Sequence, residues 1–297
     1  MNGPVQTAAL RRHETSAPMA LLQLTKPSVT RLVLVTTLCG AAAAPGPIDL
    51  LLLVTALVGT ALVVGAANTL NMYLERDTDA LMERTRNRPL PSGRLTPEVA
   101  LWFGLALSVA GLSLLSFAVN ALTGLLAAIA LISYVLLYTP LKRVAPIALY
   151  VGAIPGAIPP LLGYSALAGE LGLEGLLLFG ILFVWQLPHF VAIAIFRQAE
   201  YERAGLQVLP VRRGLAAAKL EMVVQLVVLL AVSLLPVKFG IGGAAYAVVA
   251  ALAGLGLLGW GLMGLRASAG VSWARSLFFA SMPYLVIVFG AFVLTAS

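Results

Sequence analysis

LLLLVTALVGTALVVGAANTLNMYLERDTDALMERTRNRPLPSGRLTP, residues 50–97, decides the architecture. Residues 51–67 are an unbroken apolar run, and with the residues that follow they are long enough to span a bilayer as a helix. The run ends in Asn68, Asn71, Glu75 and Asp79, which are spaced so that a continuing helix carries them on one stripe. Asp77 falls roughly 200° around the helix from Glu75. Arg84, Arg86, Arg88 and Arg94 follow at once. A membrane helix that brings amides and carboxylates to its own mouth beside arginines suits a divalent cation held against an anionic, phosphorylated substrate with an apolar tail.

The same pattern of long apolar runs and short polar pieces recurs outward from this stretch. The chain has 297 residues, 60% hydrophobic and only 10% charged, against about a quarter charged in soluble domains. This composition predicts an all-α, polytopic membrane protein. Nine spans are expected, near 28–44, 50–75, 98–118, 120–138, 145–168, 172–196, 217–237, 240–264 and 276–296, around a central cavity. The third and fourth meet at Asn120 with almost no loop. Residues 1–20 read as a mobile N-terminal tail without the apolar core of a secretory signal, and 21–297 as one membrane domain. Cys39 is the single cysteine, so no intrachain disulfide forms and a thiolate metal site is not expected.

With nine spans, 18 of the 19 lysines and arginines fall on one side, Lys238 alone on the other. The positive-inside rule makes that side cytoplasmic, with the N-terminus inside. The localisation expected is multi-pass in the cell membrane, with the acidic loops in the cytoplasm. Orientation and anionic headgroups account for the net charge of +7 without a nucleic-acid partner.

Two of the loops on that side are long and acidic. The second is FRQAEYERAGLQVLPVRRG, residues 196–214. At an offset of 119, Glu83-Arg84 aligns with Glu202-Arg203, Leu90-Pro91 with Leu209-Pro210, and Arg94 with Arg213. The alignment suggests a pseudo-repeat of four-helix units whose loops face each other.

The oxygen ligands of Asn71, Glu75 and Asp79 suit Mg²⁺, which keeps waters and accepts phosphate oxygens. Such a cation also relieves the conflict between carboxylates and a helix C-terminus. The competing reading is a solvated acidic surface balanced by arginines. Arg86 and Arg88 can clamp phosphate oxygens bidentately. In YTPLKR, residues 138–143, Tyr138, Lys142 and Arg143 stand at the same face. Each of these cations could equally be a positive-inside anchor. In the second loop Arg197, Glu200, Tyr201 and Glu202 are candidates, although Glu200 and Glu202 cannot share a helical face. His189, in WQLPHFVAIAIF, is either hydrogen-bonded inside the bundle, with a carbonyl freed by Pro188 as its partner, or an axial haem ligand or proton carrier. Pro155, Pro159, Pro160, Gly152, Gly156 and Gly163 break up the fifth span and can shape a cavity.

Residues 68–97, the YTPLKR segment and WQLPHFVAIAIFRQAEYERAGLQVLPV together resemble the protohaem IX farnesyltransferases (haem O synthases) of the UbiA superfamily of intramembrane prenyltransferases. The resemblance covers about residues 20–295. It implies Mg²⁺-assisted ionisation of farnesyl diphosphate, attachment of the farnesyl group to the 2-vinyl group of haem B, and addition of water, giving haem O and diphosphate. It places the superfamily's Asn-xxx-Asp-xxx-Asp motif on Asn71, Glu75 and Asp79, with glutamate in place of aspartate at 75. The second acidic motif falls on residues 197–202 without paired aspartates. His189 is implied on the haem side, and a downstream haem A synthase is a candidate partner. The alternatives are a prenyltransferase for a quinone precursor or another aromatic acceptor, and a secondary transporter.

Overall fold

The structure, a computed structural model, describes residues 16–295. Within them the secondary structure is helical throughout: α1 (Ala17–Leu24), α2 (Pro27–Ala42), α3 (Leu50–Ala80), α4 (Pro97–Val119), α5 (Ala121–Leu141), α6 (Ala148–Ala168), α7 (Leu173–Phe196), α8 (Gln198–Arg203), α9 (Leu209–Lys238), α10 (Gly243–Met263) and α11 (Val271–Thr295). Eight of these are long and apolar enough to cross a membrane. The ninth expected span is α2, which has only 16 residues, short of the roughly 20 that a bilayer needs.

Local chemistry explains the boundaries. Pro27 and Pro97 start α2 and α4 at the position where a missing N–H costs nothing. Asp49 caps α3 by accepting from the Leu52 amide at 3.0 Å. Lys26, between α1 and α2, takes a left-handed backbone with φ 48°, uncommon for a residue other than glycine and unlike the extended backbone usual before proline. α1 extends into the segment expected to be tail: Ala20 and Leu24 are buried. Residues 1–15 lie outside the described residues.

The single-residue corner at Asn120 is extended, with φ −164°. Its side chain accepts from the Thr123 amide at 2.8 Å and donates to the Ser165 carbonyl at 2.8 Å. α4 ends at this corner in a wider π-type turn, Leu114–Val119, and α5 carries another near its far end, Ser133–Tyr138. α9 begins earlier than expected, because a helical turn from Leu209 precedes a break at Gly214, where φ is 82°.

α6 is the central helix, packed against α2, α3, α5 and α7. Its glycines make this possible. A Cβ on Gly163 would lie 1.8 Å from the Thr37 carbonyl oxygen of α2. The chain then continues through α7 to α9, α10 and α11, where Ile181, Met222, Leu277 and Phe292 form the largest core.

Candidate active site

α3 does not stop at the expected boundary near 75; it runs to Ala80 and carries the whole polar stripe as helix. Asn71, Glu75 and Asp79 are 2%, 4% and 1% exposed, whereas the Asp77 side chain is 84% exposed. Asn68 is buried too and donates to the Thr25 carbonyl at 3.3 Å.

Each residue of the stripe meets a partner from another segment. Asn71 accepts from Lys26 Nζ at 3.3 Å and donates to Thr139 Oγ1 at 3.1 Å. Glu75 is ion-paired with Lys142. Asp79 Oδ2 meets Arg88 Nη1 at 2.6 Å, while Asp79 Oδ1 is buried with no hydrogen-bond partner among the described residues.

The loops deliver these partners for identifiable reasons. Residues 81–96 fold back over the end of α3: Thr85 Oγ1 donates to the Asp79 carbonyl at 2.7 Å, and Arg94 ties the loop to Gln23 of α1 at 2.9 Å. That fold brings Arg88 to Asp79. In the π-type turn near the end of α5 the Tyr134 carbonyl accepts both the Thr139 amide and, at 2.8 Å, Thr139 Oγ1, which aims the Thr139 side chain. Tyr138 stacks near Tyr134, with ring centroids 5.4 Å apart, and lies under Lys142 at 5.5 Å. It fits because Gly152 of α6 has no Cβ; one built there would sit 2.5 Å from the Tyr138 ring.

The second acidic loop joins the first directly. Glu200 is buried and accepts from the Arg84 amide at 3.2 Å and from Arg197 Nη1 at 3.3 Å. Gln207 donates its amide to the Lys142 carbonyl at 3.1 Å. Between the loops opens a cleft of about 420 Å³ lined by Glu83, Arg84, Phe196, Arg197 and Arg203. Burial raises the Tyr201 hydroxyl above its usual pKa, against the nearby Arg84 charge. Glu202 and Arg86 are exposed, and Arg143 donates to the Leu74 carbonyl at 3.5 Å.

His189 lies elsewhere, on the seam between α7 and α11. It is buried, its ring 4.6 Å from Trp185 and 4.5 Å from Phe278. Its hydrogen-bond partner is the Ser281 hydroxyl of α11 at 2.7 Å, not the carbonyl freed by Pro188.

The donor set fits Mg²⁺. It offers the Asn71 amide oxygen and the Glu75 and Asp79 carboxylates on one face, with Asp79 Oδ1 buried and unmatched among the described residues. Among the described residues no three His, Cys, Asp or Glu side chains converge, so the remaining ligands are left to water and phosphate oxygens, as Mg²⁺ prefers. The site is also crowded with cations. Burial and the Arg88 and Lys142 charges pull the Lys26 ammonium down to about 7, partly opposed by Glu75 and Asp79. Sequence reasoning missed Lys26 and Thr139 as members of the site. The Lys-Pro pair before an apolar run was the available signal for the first.

Residues 33–282 match the UbiA prenyltransferase family. The chain is 55% identical over 244 residues to the protoheme IX farnesyltransferase of Sorangium cellulosum, covering 82% of this chain and 87% of that one. It is 47% identical over 274 residues to the protoheme IX farnesyltransferase of Myxococcus xanthus, covering 92% and 93%. A digeranylgeranylglyceryl phosphate synthase structure superposes with a TM-score of 0.80 at 20% identity, covering 94% of this chain and 98% of that one. A UbiA homologue from Archaeoglobus fulgidus, bound to GPP and Mg²⁺, superposes with a TM-score of 0.66 at 16% identity, covering 92% and 99%.

Proposed function

Because this chain belongs to the UbiA prenyltransferase family, and within it to the protohaem IX farnesyltransferases, we propose that it joins the farnesyl group of farnesyl diphosphate to the 2-vinyl group of haem B. One water is consumed, and haem O and diphosphate are released. The observation that carries this reading for the site is the buried Asn71–Glu75–Asp79 face with its unmatched Asp79 Oδ1.

Asn71, Glu75 and Asp79 would hold Mg²⁺. When bound, the ion neutralises charge on the diphosphate oxygens. Lys142 and Arg88, already seated against the two carboxylates, lie beside the same oxygens and stabilise the charge that grows on them as the C1–O bond breaks. Arg86 and Arg143 stand further out as phosphate contacts. Tyr138 offers a ring next to Lys142, where an allylic cation gains from an aromatic face. The apolar bundle keeps water from that cation until the vinyl carbon attacks it. The carbocation left on the vinyl group then takes up water and releases a proton. The sided distribution of lysine and arginine supports placing both acidic loops in the cytoplasm.

Membranes carrying the chain, incubated with farnesyl diphosphate, Mg²⁺ and haem B, should yield a haem heavier by one farnesyl group and one hydroxyl. Chelation of divalent metal should abolish it. Unchanged haem B alongside prenylated 4-hydroxybenzoate would move the chain to an aromatic acceptor.

A further inference from the structure

His189 has two ring nitrogens and one hydrogen bond. Nδ1 lies 2.7 Å from Ser281 Oγ, and Nε2 has no hydrogen-bond partner among the described residues. That leaves Nε2 as the ring nitrogen open to a ligand.

The serine decides which nitrogen carries the proton. Ser281 Oγ also lies 2.7 Å from the Phe278 carbonyl, which can only accept. The hydroxyl has one hydrogen. Given to His189, it would leave two oxygens facing each other at 2.7 Å without a proton between them. Given to Phe278, it leaves the serine oxygen free to accept from Nδ1–H. The second arrangement satisfies both contacts, and it puts the lone pair on Nε2.

The surroundings hold this arrangement in place. Trp185 donates its indole N–H to the Ser281 carbonyl at 2.7 Å, tying α7 to α11 at the same residue. Trp185 and Phe278 lie against the imidazole at 4.6 and 4.5 Å and limit its rotation. A neutral imidazole with Nδ1–H held by a second residue and a bare Nε2 is how proteins present histidine to a metal.

We propose that Ser281 is a positioning residue for the acceptor: it fixes His189 as the Nδ1–H tautomer so that Nε2 takes an axial position on the haem iron. This rests on haem B being the acceptor.

The test is haem B titrated into the purified full chain, read by its absorption and electron paramagnetic resonance spectra. The wild type should give a nitrogen-ligated iron signature. His189→Ala should lose it, and added imidazole should restore it. Ser281→Ala should weaken haem binding by roughly 10- to 100-fold, the usual cost of losing a residue that orients a ligand, and shift the spectrum, with the KM for farnesyl diphosphate unchanged. Ser281→Thr, which keeps the hydroxyl, should recover both. A wild-type spectrum and affinity in either His189→Ala or Ser281→Ala, in a chain that still farnesylates haem B, overturns this inference alone. A wild type that neither binds nor converts haem B overturns the proposed function with it.

Discussion

Asp77 and Asp79 stand two positions apart on the same helix in opposite surroundings. The first projects away with its side chain 84% exposed; the second is 1% exposed with Arg88 on one oxygen and nothing on the other. Asp79→Asn should therefore lower turnover about 10²- to 10³-fold, the scale of losing one transition-state charge stabiliser, while Asp77→Asn stays near wild type in the same assay. Arg88→Ala should act on stability as well. It leaves a buried carboxylate without its cation, a loss of roughly 3–5 kcal/mol for a broken buried pair. The variant should melt earlier in chelator and recover part of the difference when Mg²⁺ is added. Equal melting with and without the metal would contradict cation binding at Asp79. The 71/75/79 spacing was legible because it depends on one helix alone. Its partners were not: Lys26 and Thr139 come from 45 and 68 residues away along the chain, and no local pattern encodes such meetings.

At the level of elements, apolar runs located the spans, and local hydrogen bonding set their ends. The sequence showed a corner at Asn120, and the structure explains it as a cap at 2.8 Å reinforced from α6. Periodicity could not reveal that α5 widens into a π-type turn over Ser133–Tyr138, since SYVLLY has no proline or glycine to mark it off from the helix before it. That turn aims Thr139 at Asn71. Thr139→Val should leave the Asn71 amide without its acceptor, costing about 1–3 kcal/mol of stability and lowering kcat by loosening the Asn71 oxygen. Thr139→Ser should behave as wild type. A thermal melt with steady-state kinetics distinguishes the three.

Across the whole molecule, the acidic loop after α3 and the one after α7 are joined through the Arg84 amide and Glu200. The sequence suggested that these loops face each other; the structure puts them in hydrogen-bond contact. Glu200→Ala should raise amide exchange across residues 81–96 relative to wild type, because it removes the acceptor that ties Arg84 down, and farnesyl diphosphate should bind more weakly. Unchanged exchange would mean the first loop is held by Thr85 and Arg94 alone.

The meeting of α2 with α6 bears on where mutations would be tolerated. With no room for one methyl group at Gly163 against the Thr37 carbonyl, Gly163→Ala must push two backbones apart, a disturbance of about 1–3 kcal/mol or more. In a saturation library, selection should erase nearly every variant at this lipid-hidden notch, far from any reacting atom, while the greasy outer ribs facing the acyl chains drift freely among Leu, Ile, Val and Phe.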